Sequence, residues 1–117
     1  MSRFSAPIAE QIWDMKYRFK DAEGTPLDHT VEDTWKRIAG ALAVVEKDPK
    51  AWEPKFYEAL EDFKYLPAGR ITAGAGTARS VTLFNCFVMG AVPDSMGGIF
   101  DMLKEAALTM QQGGGIG

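Results

Sequence analysis

The stretch that most constrains this chain runs from Val81 to Gly117, VTLFNCFVMGAVPDSMGGIFDMLKEAALTMQQGGGIG. Val81 to Met89 is apolar on both faces, the pattern of a strand buried between other strands and a covering layer. Alternation puts Thr82, Phe84, Cys86 and Val88 on one face and Val81, Leu83, Asn85, Phe87 and Met89 on the other. Cys86 and Asn85 therefore point in opposite directions. After Pro93, Asp94 or Ser95 is predicted to cap a helix with the stripe Ile99, Leu103, Ala106 and Met110, closing at Gln112 before three glycines. A strand linked closely to a helix is the first part of a right-handed strand-helix-strand crossover, which requires a parallel strand next. That strand is expected to begin where the sequence ends. Lacking ladder partners, Val81 to Met89 is expected to be poorly formed, paired with another copy, or refolded.

The preceding residues read as helices. Ser5 is a candidate N-cap for a helix from about Ala6 to Phe19, with Ile8, Ile12, Met15 and Phe19 on one face and Trp13 and Tyr17 forming a second packing strip. Glu23 to Pro26 is a turn. Thr30 and Asp33 have the spacing of a capping box, and Val31, Trp35, Ile38, Leu42 and Val45 form an amphipathic stripe predicted to run to about Glu46. Asp48 and Pro49 are an N-cap and a first-turn proline for a third helix, with Trp52, Phe56, Leu60 and Phe63 on one face. That helix must stop before Pro67.

Few residues in this part suggest chemistry. His29 is the single histidine, and without a second ligand at metal spacing it reads as a surface or capping residue. Glu58, Glu61 and Asp62 resemble a carboxylate cluster, but Lys55 and Lys64 in pairing range make a solvated helix face the better reading. From Pro67 the chain turns to small residues, PAGRITAGAGTARS. Gly74 to Arg79 starts like a GxGxxG fingerprint but places arginine at the third glycine and leads into a strand, which argues against dinucleotide binding. The terminal GGGIG follows a helix and lacks the lysine and hydroxyl residue of a Walker loop, so it reads as a helix C-cap with a flexible tail. Small residues in both places allow close approach of backbone to backbone or to a ligand.

Charge and cysteine content narrow the partners. A net charge of -3 and a pI near 5.1 argue against nucleic-acid polymers and anionic membranes. One cysteine permits no internal disulfide, and the start MSRFSAPIAE has no apolar signal run, so a cytoplasmic location is expected. Cys86 is the one side chain suited to redox or nucleophilic chemistry near neutral pH, and periodicity leaves its role open between structural and functional.

The segments LPAGRITAGAGT, VTLFNCFVMG and DSMGGIFDMLKEAALTMQQGGGIG resemble the start of the catalytic barrel of class II ribonucleotide reductases, the adenosylcobalamin-dependent kind. QIWDMKYRF and TVEDTWKRIA resemble the helical N-terminal region of that family, so the similarity covers nearly the whole chain. The resemblance implies a mainly α fold, with a helical N-terminal module at residues 1-67 and, at 68-117, the first strand and helix of an incomplete α/β ten-stranded barrel. It implies that Cys86 is one half of a reducing pair that donates electrons to the ribose and becomes a disulfide. It places Asn85, Gly114 and Gly115 against the nucleotide, with Ala75, Gly76 and Thr77 in the segment beside the ribose and phosphate. Gly69 and Arg70 depart from the commonest family form.

The same resemblance implies partners that this chain lacks. These are the rest of the barrel, a second reducing cysteine, a thiyl-radical cysteine with its asparagine and glutamate, and an external dithiol. Adenosylcobalamin would serve the complete enzyme and is not expected to bind this chain alone. No segment matches an effector-binding cone. The expectation is the N-terminal part of an enzyme converting ribonucleotides to 2'-deoxyribonucleotides, inactive by itself. The alternative is a helical module that docks onto a partner without catalysis, for which the unpaired strand and exposed helix stripe also make self-association possible.

Overall fold

The helix of Val31–Ala43 (α2) begins where Thr30, in extended backbone, gives way to helical geometry. The Asp33 carboxylate reaches back to accept from the N–H groups of Thr30 at 3.1 Å and His29 at 2.9 Å, closing the expected capping box. In this computed structural model, which describes residues 2–117, α2 is the element against which the helical segments at residues 7–16, 49–60 and 69–74 pack. Val31, Thr34, Trp35, Ile38 and Ala39 are buried along its face. The stripe ends earlier than its spacing suggests: Leu42 lies at the rim and Val45 is 86% exposed. The chain turns after Ala43 because Asp48 and Pro49 restart it as the helix Pro49–Leu60 (α3), the Asp48 carboxylate accepting from the N–H of Ala51.

The first helix is Pro7–Lys16 (α1), shorter than expected, and its N-cap is Ala6, not Ser5. Proline at the first helical position drives the preceding residue into extended backbone, and Ala6 at φ -142° and ψ 142° takes that place. The buried face also differs. Trp13 enters the core while Ile8 and Met15 are 59% and 62% exposed. The indole fills the space and donates from Nε1 to Thr34 Oγ1 at 3.0 Å, which an isoleucine cannot do.

Phe4, Trp13, Trp35, Tyr57 and Phe63 form a chain of tilted and edge-on rings with centroids 5.2 to 6.3 Å apart. Asp62 and Phe63 both have positive φ, a conformation costing about 1 kcal/mol or more per residue. It lets the Phe63 ring pack on Trp35 and Phe4. Trp52 stays at the surface beneath the Lys55 ammonium, 4.4 Å from its ring. Asp62 is held by Arg3, and Glu58 is exposed.

Asp28 and Arg37 form a buried ion pair, 3.0 Å apart, with side chains 5% and 8% exposed. Asp28 Oδ2 also accepts from Thr34 Oγ1 at 2.7 Å and from the N–H of Phe19 at 3.1 Å. Arg37 donates onward to the carbonyls of Ala75 at 2.6 Å, Thr72 at 3.0 Å and Tyr17 at 3.3 Å. Residues Gly69–Gly74 form a short helix (α4) that these bonds tie to α2. The chain accordingly forms two compact units, Met1–Ala78 and Arg79–Gly117, and the small-residue stretch belongs to the first. The carbonyls of Thr72 and Ala75 find their donor on α2, which is why this stretch packs with the first unit.

The second unit comprises Cys86–Phe87 (β1), Met96–Gln111 (α5) and Gly115–Ile116 (β2). Ser95 is the N-cap of α5, its hydroxyl accepting from the N–H of Gly98 at 3.0 Å. β1 and β2 pair in parallel, Cys86 opposite Gly115 and Phe87 opposite Ile116. The crossover partner therefore lies within the sequence, at its last residues. Regular strand is confined to two residues of the nine expected because only one neighbour supplies a ladder among the described residues. The buried side of α5 carries Ala106, with Met102 and Thr109 half-buried, while Ile99, Leu103 and Met110 are 46%, 59% and 52% exposed. The expected stripe is rotated so that only Ala106 of its four residues faces the pair.

Two outcomes are expected. Asp28→Ala strands the Arg37 guanidinium in the core and lowers stability by about 3–5 kcal/mol, read from urea unfolding. The second concerns Glu32, which the N–H of its own residue in the first turn of α2, then Thr30 and Arg3, hold below the ordinary carboxylate range against the opposing effect of burial. A depressed folded value means the contribution is present above the unfolded value and lost as pH falls through the lower folded one. A pH titration should therefore leave the Arg3 Nε resonance unmoved through the ordinary glutamate range and shift it only below that range.

Candidate functional site

The three glycines after α5 each have a separate physical reason. Gln112 is the C-cap, and Gly113 follows with φ +90°. Its N–H donates to the Met110 carbonyl at 2.9 Å, and the N–H of Gly114 donates to the Thr109 carbonyl at 3.1 Å. This pair of bonds is a Schellman ending, which needs a left-handed residue and so favours glycine. Gly114 is buried, and a Cβ there would lie 2.7 Å from the Phe87 ring and 3.1 Å from Thr109 Cγ2. Gly115 is the ladder partner of Cys86, and a Cβ there would lie 3.3 Å from Cys86 Sγ. The expected cap is present, but the tail after it is a paired strand.

Asn85, Cys86, Gly114 and Gly115 are thus brought together in the second unit. The Asn85 carbonyl accepts from the N–H of Gly115 at 2.7 Å, and the Phe87 carbonyl accepts from the N–H of Gly117 at 3.0 Å. Cys86 is a free thiol at an exposed position. Its ladder partner Gly115 has no side chain to cover the sulfur. One thiol can donate or accept within an exchange reaction, but it cannot close a disulfide inside this chain.

Ala75, Gly76 and Thr77 lie in the first unit, at a tight turn after α4. Ala75 has φ -64° and ψ 130°, Gly76 has φ +73°, and the N–H of Thr77 donates to the Gly74 carbonyl at 3.2 Å. These are the features of a type II turn, whose third position favours glycine. The Thr77 hydroxyl donates to the same Gly74 carbonyl at 2.8 Å. A helix ends at this turn instead of beginning there, so no helix N-terminus is offered to a phosphate, consistent with the departure from the dinucleotide fingerprint.

Other candidates carry no chemistry. His29 is exposed, and its backbone N–H serves the α2 cap. Among the described residues no three His, Cys, Asp or Glu side chains come together to hold a metal ion. A cavity of about 590 Å³ in the first unit is walled by Phe4, Trp13, Tyr17, Trp35 and Phe63, and no buried side-chain polar atom among the described residues lacks a partner. Among the described residues no helix is long and apolar enough to cross a membrane. Sequence reasoning missed Arg37 and its bonds to the turn. The available signal was its position three residues after Thr34, which puts both on one side of α2.

Comparison with known proteins adds family context. The family model described as "Ribonucleotide reductase, all-alpha domain" matches residues 3–80. The chain is 37% identical over 102 residues to a ribonucleoside-diphosphate reductase subunit alpha of Helicobacter pylori, covering 87% of this chain and 13% of that protein. The corresponding subunit of Chlamydia trachomatis is 32% identical over 115 residues, 98% of this chain and 10% of the relative. A vitamin B12-dependent ribonucleoside-diphosphate reductase of Mycobacterium tuberculosis is 30% identical over 107 residues, 87% of this chain and 15% of the relative. The chain therefore spans between about a tenth and a seventh of the length of these relatives. With two-thirds of its residues matched by that family model, the chain belongs to the ribonucleotide reductase family.

Proposed function

We propose that this chain is the N-terminal part of a ribonucleotide reductase, inactive alone, that supplies one reducing thiol and part of the substrate surface. The observation that carries this reading is the in-register pairing of Cys86 with Gly115, which leaves the thiol exposed beside bare backbone. In the complete enzyme Cys86 and a second cysteine outside this chain give up two electrons and two protons. A disulfide forms between them, the 2'-hydroxyl leaves as water, and a C–H bond takes its place. An external dithiol then returns the pair to the reduced form. Asn85, Gly114 and Gly115 contact the nucleotide in this reading, as do Ala75, Gly76 and Thr77 of the other unit. The substrate is a ribonucleoside diphosphate, in keeping with the names of the quoted relatives.

Adenosylcobalamin is the proposed cofactor of the complete enzyme, supported by the names of the mycobacterial relatives. When bound it supplies the radical that starts the reaction. The described residues assemble no metal-holding cluster, and none is assigned to grip the cofactor. A second reading, docking without catalysis, is favoured by the exposed Ile99, Leu103 and Met110 on α5. Apolar surface of that kind calls for a covering partner.

Mixing the chain with a polypeptide carrying the remainder of the barrel, adenosylcobalamin and a dithiol separates the two. Deoxyribonucleotide formation that requires both polypeptides and is abolished by Cys86→Ser supports the reductase reading. Reduction by the chain alone overturns the claim of inactivity, and stable association without any turnover favours docking. Omitting the cobalamin from the active mixture tests the cofactor. In the same assay Gly114→Leu should remove activity, since its side chain must displace the Phe87 ring. The overpacking is expected to cost about 1–3 kcal/mol of stability, measured by thermal unfolding.

A further inference from the structure

The turn at Gly74 to Thr77 can exist in two forms that differ by a flip of its central peptide, Ala75–Gly76. In the form present here the Ala75 carbonyl faces α2 and accepts from Arg37 Nη1 at 2.6 Å. Arg37 Nη2 holds the Thr72 carbonyl at 3.0 Å, one turn of chain earlier. The guanidinium is itself fixed by Asp28, whose carboxylate is also bonded to Thr34 and the Phe19 N–H. Gly76 completes the fit, for a Cβ there would lie 2.8 Å from both Arg37 Cγ and the Arg37 carbonyl. The peptide thus stands with its oxygen turned toward α2. None of the described peptide bonds is cis, so the N–H of Gly76 is directed away from Arg37, on the side where Gly76 is exposed.

We infer that Arg37 is a positioning residue: anchored on Asp28, it fixes the Ala75–Gly76 peptide so that the Gly76 N–H is presented as a hydrogen-bond donor to an oxygen of the nucleotide substrate. The inference rests on the reading that Ala75 to Thr77 lies against the nucleotide. Lysine cannot replace the planar fork, because one ammonium cannot reach the carboxylate and both carbonyls with the same geometry. Buried charge is retained by Arg37→Lys, so the fold is preserved while the peptide loses its anchor.

The test uses the complete enzyme, assembled from this chain and the remaining barrel, with Arg37→Lys. The KM for ribonucleoside diphosphate should rise about tenfold, the worth of roughly one hydrogen bond, with kcat changed less than about twofold. A purely structural role would lower the amount of active enzyme and leave KM unmoved. If Arg37→Lys does not fold, the double variant Asp28→Asn with Arg37→Gln removes both charges and carries the same expectation. In parallel, residual dipolar couplings of the Gly76 N–H in this chain should report a changed orientation in the folded variant. An unchanged coupling, or an unchanged KM in an active enzyme, overturns the inference and leaves the reductase reading intact. Absence of reduction by the wild-type complete enzyme sinks that reading, and the substrate part of the inference with it, while the coupling still decides whether Arg37 sets the peptide.

Discussion

The ion pair of Asp28 and Arg37 is the interaction on which the helical unit depends. Burying two charges costs several kcal/mol per ion before their attraction is counted, so such a pair persists only when its remaining hydrogen-bonding positions are filled. Here they are filled by Thr34, the Phe19 N–H and three carbonyls drawn from distant parts of the chain. Those bonds tie the chain at Tyr17 to Phe19 and at Thr72 to Ala75 to α2, beside Tyr17, Ile71 and Ala75 of the apolar cluster. The polar center thereby does what the aromatic cluster cannot, which is to specify where the turn after α1 and the small-residue stretch must lie. Trp13 joins the two systems, with its ring in the aromatic cluster and its N–H on Thr34.

The second unit is governed by a different constraint, the close approach of backbones. A parallel pair needs a crossover, and α5 supplies it between β1 and β2. Gly113 ends the helix, Gly114 lets Phe87 and Thr109 meet over it, and Gly115 leaves the Cys86 thiol uncovered. A run that looks like low-complexity sequence is three adjacent solutions to three steric problems. Ile99, Leu103 and Met110 of α5 remain exposed, because the strand pair covers only the side of the helix that carries Ala106.

Much of the local structure was legible in the residues. The capping box at Thr30 and Asp33, the Asp48–Pro49 restart and the Ser95 cap all formed, because each is a hydrogen bond or dihedral preference between residues at most three apart. The mainly helical fold and the need for a parallel strand also followed from pattern. The candidate site was legible only in part. Cys86 could be singled out as the one reactive side chain, yet nothing in its neighbours' spacing showed that Gly115 would lie opposite it. Arg37 shares a side of α2 with Thr34, but an arginine on a helix is ordinarily solvated, so that spacing did not by itself announce burial.

By itself the sequence determined the caps that start α2, α3 and α5, the stop before Pro67, and that a strand-helix pair called for a parallel partner. Only the tertiary structure decided which side of α1 and α5 would be buried, that residues 68–78 belong with the helical unit, and that the final residues are themselves the partner strand. The physical reason is one of range. Caps and turns are settled by neighbours along the chain, whereas burial and pairing depend on what arrives from a distance: an indole that hydrogen-bonds where an isoleucine cannot, a guanidinium that reaches carbonyls thirty-five and thirty-eight residues away, and a glycine that leaves room for sulfur.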